Sequence, residues 1–218
     1  MKEEYIKERE RNIFGRFKFY RRCVEAVILI KKFKPKNLPD ILDVGACDAG
    51  MLKFIKDRIA FGKAVGLEEN GYFISANKES DINLVKGNAE KLPFESDSFD
   101  IILASSVIEH IKNPDNFFQE AFRVLRKNGV LIVFAAVPFY CSFAVELGLQ
   151  KNDHYKNFSP AELRKKISEH NFESIYYGRF ALPSVVSLLK FEMVLEKILR
   201  LLKLNLLMFY QEIIAKKR

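Results

Sequence analysis

Residues 41–50 read Ile41-Leu42-Asp43-Val44-Gly45-Ala46-Cys47-Asp48-Ala49-Gly50. A short apolar run enters a glycine-bearing turn, and helical spacing resumes at Met51, Leu52, Phe54 and Ile55. That is the pattern of a buried parallel strand leading into a helix. Gly45 allows a tight turn and close approach of a ligand, and the amides that follow can bind a carboxylate at a helix N-terminus. A G-x-x-x-x-G loop alone is weak evidence.

Working outward, the alternation repeats. Residues 64–67 form a second strand closed by Glu68, and a helix follows over 72–78; residues 82–86 form a third strand. Ser98-Phe99-Asp100 turns into a fourth, 101–104. The next helix has Asn113 as its cap, Pro114 at its first position and Asn128-Gly129 as a left-handed exit. Residues 130–137 are wholly apolar, as a strand covered on both faces should be. Ser159-Pro160-Ala161-Glu162 reads as a capping box, and its helix passes through His170-Asn171 into a sixth strand, 173–177. A leucine-rich helix over 183–204 and a seventh strand over 208–215 follow. Upstream, Ile13, Phe17, Tyr20, Val24 and Val27 recur at helical steps until Pro35 and Pro39. Strands alternating with helices at this spacing predict an α/β fold with a parallel sheet and right-handed crossovers.

With 218 residues, 49% of them hydrophobic and 29% charged, the chain can bury a substantial core and is not of disordered composition. The opening MKEEYIKERE is charged and no apolar stretch follows it, so no secretory signal is expected. Cys23, Cys47 and Cys141 lie far apart without a C-x-x-C pair, which argues against a disulfide framework or zinc site and for a cytoplasmic location. The net charge of +8 sits at the ends: 12 Lys/Arg against 5 Asp/Glu in residues 1–36, and 7 against 3 in residues 190–218. Basic ends attract polyanions such as nucleic acid or anionic lipid; solvated helix faces are the plainer explanation.

Glu68 lies 25 residues beyond Asp43, at a strand end, where a carboxylate can accept hydrogen bonds from both hydroxyls of a ribose. That spacing is shared by dinucleotide enzymes and methyltransferases. The discriminating stretch is Gly87-Asn88-Ala89-Glu90-Lys91-Leu92-Pro93-Phe94, followed by Asp97-Ser98-Phe99-Asp100 and, from Glu109, by EHIKNPDNFFQEAFRVLRKNGV. In that order and spacing these elements resemble the small class I S-adenosylmethionine-dependent methyltransferases, the family that includes quinone-biosynthesis and glycan-modifying enzymes. The resemblance runs over residues 41–137, with weaker echoes to Gly178.

Pattern and resemblance together imply a Rossmann-like, doubly wound sheet of seven strands. It is mostly parallel with the last strand antiparallel, has helices on both faces, and adds an N-terminal helix and a leucine-rich C-terminal helix. Residues 1–218 are expected to be one domain: a cap over 1–38, a cofactor-binding core over 39–137 and an acceptor-side segment over 138–218. The resemblance also implies S-adenosylmethionine as cofactor and S-adenosylhomocysteine as product. Gly45, Ala46 and Cys47 would line the methionine end, Asp43 would lie beneath it, and Ser105 would lie near the amine. Glu68 would hold the ribose, with Glu69 and Asn70 beside it; Asn88 and Ala89 would meet the adenine. Two departures stand out. Cys47 and Ala49 occupy positions where the family has glycine, and Asn88 replaces an acid. A Cβ at Cys47 crowds the ligand if that position needs a positive φ.

Methyl transfer asks mainly for in-line placement, with a base where the acceptor is a hydroxyl or protonated amine. His110, at the family's "EH" position, and His154, in a segment that covers the acceptor in relatives, are the catalytic candidates. His170 reads as a helix-end residue. Some quinone O-methyltransferases add a carboxylate three residues before that glutamate to bind a divalent metal. Ser106 stands there, so no metal is expected. The charges Lys190, Glu192, Glu196, Lys197, Arg200 and Lys203 exclude a membrane-spanning helix over 183–204. Its leucine face is expected to pack on the sheet or on a second subunit; an interfacial placement in lipid is the alternative. Phe14, Phe17, Phe19, Tyr20, Phe139 and Tyr140 suit a small-molecule or lipid-like acceptor, or are simply core. No base-amine methylation motif points to nucleic acid. A catalytically degenerate scaffold, a nucleic-acid enzyme and a dehydrogenase are the competing readings, and either a monomer or a homodimer is compatible with the sequence.

Overall fold

The computed structural model describes residues 13–77, 82–146, 154–182, 189–202, 204 and 208–218. The first helix, α1, spans Ile13–Phe33 and ends two residues before Pro35. There follow β1 (Ile41–Val44), α2 (Gly50–Lys56), β2 (Ala64–Glu68), α3 (Gly71–Ala76), β3 (Asn83–Lys86) and β4 (Phe99–Ser105). A 3₁₀ turn over Ile108–His110 leads to α4 (Pro114–Val124), β5 (Leu125–Ala136) and α5 (Pro138–Glu146). The chain closes with α6 (Pro160–Glu169), β6 (Phe172–Phe180), α7 (Leu189–Leu201) and β7 (Tyr210–Lys217).

The seven strands form one sheet in the order β3-β2-β1-β4-β5-β7-β6. Strands β1 to β5 pair in parallel, and β7 runs antiparallel to both β5 and β6. Side chains alternate across the sheet, so each strand feeds two cores. Leu42, Val44, Ile102 and Ala104 join Phe117, Phe118, Leu163 and Ile167 on the face covered by α4 and α6. Ile41, Ile101 and Leu103 join Ala26, Ile30, Met51 and Ile55 on the face covered by α1 and α2. Because both faces are covered, β1 and β4 need apolar residues at nearly every position.

The capping box at α6 forms as its sequence predicts. Ser159 Oγ accepts from the Glu162 N–H and the Glu162 carboxylate accepts from the Ser159 N–H. That backbone bond, with the Ser159 hydroxyl and Lys156, pulls Glu162 down to about 2. Three local expectations need correcting. Asn113 makes no side-chain cap; its N–H donates to Glu90 instead, and Pro114 alone opens α4. Asn128, at φ +66°, lies within β5 rather than at a helix exit, because α4 ends at Val124 and the strand begins at once. The leucine-rich helix does not turn its described apolar face to the sheet, the first of the placements expected for it. Within the described span of α7, Glu196 points inward while Val194, Leu195, Ile198 and Leu201 are exposed. The sequence positions 183–188, Lys203 and 205–207, like Phe14 and the side chains of Lys190 and Glu192, lie outside the described residues.

Candidate active site

The sheet reverses direction of growth at β1, with β2 on one side and β4 on the other. In doubly wound sheets the crevice outside the carboxyl ends of the strands at such a reversal point is the general ligand position. The turn after β1 is backbone-strained. Gly45 has φ +74°, and Cys47 and Ala49 have φ +50° and +59°. At Gly45 a side chain is doubly excluded, because an added Cβ would come within 2.7 Å of Val107 Cγ2. Cys47 and Ala49 do occupy the left-handed region that glycine would enter freely, at a cost of about 1–2 kcal/mol each.

Glu68, 8% exposed, ties the crevice together. One carboxylate oxygen accepts from the Cys47 N–H at 2.9 Å and the other from the Asn70 N–H at 2.8 Å. The backbone carbonyl of Glu68 accepts from the Gly87 N–H, which brings the segment after β3 alongside. Asn70 caps α3 by accepting from the Tyr72 N–H. Asn88 donates to Glu69 at 3.2 Å and accepts from the Glu90 N–H, next to the half-buried Ala89. The structure thus gathers Asp43, Gly45, Ala46, Cys47, Glu68, Asn70 and Ser105 at the ends of β1, β2 and β4. Glu69, Asn88 and Ala89 form the adjoining rim.

The crevice is short of positive charge. Asp43 is 3% exposed and is pushed up to about 7, first by burial and then by Glu68 and Asp48, with Arg22 opposing. Ser105 Oγ is buried and meets no hydrogen-bond partner among the described residues. A buried carboxyl among carboxylates, beside a spare hydroxyl, is a site suited to a cationic group.

Beyond the turn that follows β4, the rings of His110 and His154 meet edge to face with centroids 4.8 Å apart. His154 Nδ1 lies 2.7 Å from Asn157 Oδ1. Glu109 makes this pairing. Its carboxylate, 1% exposed, accepts from the Ala136 N–H at the end of β5, and its carbonyl accepts from the Tyr155 N–H. The sequence marks Glu109 as the glutamate of the "EH" pair; it does not give the two elements that this residue joins. Arg22 was also missed. It donates to Ser106 Oγ at 2.8 Å and to Tyr210 Oη at 3.3 Å. No cluster of three His, Cys, Asp or Glu able to hold a metal occurs among the described residues. His170 is the C-terminal cap residue of α6, with Nε2 2.9 Å from Asp115 and its ring stacked on Phe118.

Much of the block that suggested the family is scaffold. Arg123 donates to the carbonyls of Leu92 and Phe94, and Glu120 accepts from the Leu92 N–H, so the LPF segment is laced to α4. Asp100 accepts from the Asp40 N–H and from Arg126, at the opposite end of the strands from the crevice.

Comparison with known proteins agrees with this fold. Residues 42–133 match the family model described as a methyltransferase domain. The chain is 28% identical over 177 residues to an uncharacterised protein of Methanocaldococcus jannaschii, covering 79% of each. It is 28% identical over 159 residues to the ubiquinone biosynthesis O-methyltransferase of Azorhizobium caulinodans, covering 66% of this chain and 62% of that enzyme. The fold is similar to that of a SAM-dependent methyltransferase from Thermotoga maritima, with 19% identity, a TM-score of 0.67 and coverage of 90% and 89%.

Proposed function

We propose that this chain is a class I S-adenosylmethionine-dependent methyltransferase, as the methyltransferase-domain match over residues 42–133 and the similar relatives support, and that it methylates an oxygen or nitrogen of a small, apolar or lipid-like acceptor. When bound, S-adenosylmethionine supplies a methyl group already activated on a sulfonium. The residues present fit that molecule. Asp43 and Ser105 suit its ammonium, the turn 45–47 its methionine backbone, and Glu68 its ribose diol. Asn88 and Ala89 suit its adenine edge.

The observation that supports this most is the valence of Glu68. Its two oxygens hold the loops after β1 and β2 through one N–H each, and each oxygen keeps a lone pair for a hydroxyl. Glu68→Ala should weaken S-adenosylmethionine binding in calorimetry by about 1.5–3 kcal/mol. Glu68→Gln, which keeps an acceptor and much of the loop geometry, should fall between. Unchanged affinity in both would place the ribose elsewhere.

The acceptor side supports an apolar substrate. Phe139 and Tyr155 are largely exposed there, and Tyr140 packs against Phe209 at 4.8 Å. The relative from Azorhizobium is named for ubiquinone biosynthesis, which is an acceptor of the same character. In the tautomer whose Nδ1–H donates to Asn157 Oδ1, Nε2 of His154 is the nitrogen that takes a proton. His154→Gln should lower kcat by about 10²-fold or more with little change in cofactor affinity. A full-rate variant would leave His110 or solvent as the proton acceptor. The strain at Cys47 and Ala49 favours one other reading, a scaffold that no longer binds the cofactor. Absence of binding at millimolar ligand would establish it.

A further inference from the structure

Helix α7 is amphipathic in the inverted sense. Its charged residues Glu196 and Arg200 face the protein, where Glu196 bonds Arg21 of α1 at 2.6 Å and Arg200 lies 2.9 Å from Glu196 and 3.4 Å from Glu25. Its apolar residues face solvent: Val194, Leu195, Ile198, Leu201 and Leu202 are all exposed, Leu201 by 75%. Leu204, just beyond the helix, is exposed as well. At 100° per residue the four helix positions, continued by Leu202 just past the last residue of α7, form one continuous stripe, with the exposed Lys197 at its margin. A soluble helix turns such a stripe to the core; here ion pairs fasten the opposite face and leave the stripe outward.

We infer that the outward stripe of α7 is a docking face for an anionic lipid surface, with α7 lying in the interfacial plane. Three observations choose this occupant. First, the stripe has the composition of an interfacial helix, leucine and isoleucine on one face with a lysine at its edge. Second, the ion pairs with Arg21 and Glu25 bring α7 against α1, whose stretch 13–36 carries 8 Lys/Arg against one Glu, with Lys31 and Lys32 exposed. Such a field attracts anionic headgroups and repels a second copy of the same surface. Third, the stripe is small. A helix of this length offers a face about 20 Å long, on the order of 200–300 Å², against roughly 800 Å² per partner in a stable protein interface. No described helix is long and apolar enough to cross a membrane, so the contact would be peripheral. The inference does not depend on the reaction; it stands or falls even if no methyl group is transferred.

Vesicle flotation of the full chain tests it. Vesicles with about a third phosphatidylglycerol should retain the protein, pure phosphatidylcholine vesicles should retain much less, and ~0.5 M salt should release a large part. Ile198→Glu combined with Leu201→Glu changes only exposed positions. It should reduce flotation by about tenfold or more while thermal unfolding stays unchanged. Absence of flotation with anionic vesicles, or flotation undiminished in the double variant, would overturn the inference. A lipid-free dimer that the same variant splits, seen by light scattering, would overturn it in favour of a second copy.

Discussion

Carboxylates are buried in two parts of this molecule, and their surroundings are opposite. Between α1, α7 and the β6–β7 edge, Glu25, Glu196 and Glu212 share Arg21, Arg200 and the Tyr176 hydroxyl. Burial raises Glu25 and raises Glu212 well above its ordinary value, and each disfavours a second negative charge beside it. Every member of that set has a protein partner. At the ends of β1 and β2, Asp43 and Glu68 are buried with Asp48 close by and Arg22 as the opposing charge; backbone amides do most of the holding. Two buried acid clusters therefore have different meanings. Acids neutralised by charged side chains of their own chain hold elements together, whereas the acids at the ends of β1 and β2, held largely by backbone amides, are the ones we propose receive a cationic ligand.

The comparison can be broken most forcefully at Arg21. Arg21→Met leaves Glu196 buried with part of its partners and should cost about 3–5 kcal/mol in urea unfolding. Arg21→Met with Glu196→Met should recover most of that loss, because an apolar pair replaces the ion pair. A loss below about 1 kcal/mol in the single variant would mean the set is not structural.

Asp43 sharpens the other half. Its carboxyl is held at about 7 in the folded chain, against an ordinary value of 3.8. Between roughly pH 4 and 7 the unfolded chain has lost this proton while the folded chain keeps it, so stability falls as pH rises through that window. Asp43→Asn should therefore stabilise the ligand-free protein by about 2–4 kcal/mol at pH 8, with the gain shrinking towards pH 4. A bound cation favours ionised Asp43. Affinity for S-adenosylmethionine should thus rise about tenfold per pH unit up to about pH 7 and then level, and Asp43→Asn should flatten the curve. A profile already flat in the parent protein would remove Asp43 from the ligand site.

The smallest expected effect lies in the turn between these strands. Ala49 is buried at φ +59°, so Ala49→Gly relieves a left-handed conformation without opening much space. It should stabilise the protein by about 1 kcal/mol and raise the melting temperature by roughly 2–4 °C. A loss of stability would show that the methyl group contributes more by packing than it costs in strain.

Some of this was legible from residues alone. The runs at 41–44, 101–104 and 130–137 read as strands covered on both faces because they are short, almost wholly apolar, rich in β-branched residues and bounded by turn signals. Ser159 and Glu162 specify their capping box because both partners lie within one helical turn. Glycine at 45 and the acid at 68 mark the crevice because a doubly wound sheet brings those two strand ends together. Asn113 and Asn128-Gly129 misled because cap and exit signals are local, and the actual bonds, to Glu90 and along β5, were decided by neighbours distant in sequence.

The sequence by itself determined where strands, helices and the ligand crevice lie, because period, glycine and capping chemistry act over a few residues. Only the tertiary structure decided that Cys47 must adopt a positive φ, that Glu109 carries the loop of His154, and that Arg21 and Glu25 meet Glu196 and Arg200. Those ion pairs turn the leucines of α7 outward. An amphipathic pattern tells which residues share a side of a helix; which side is buried depends on the charges that the rest of the fold places against it.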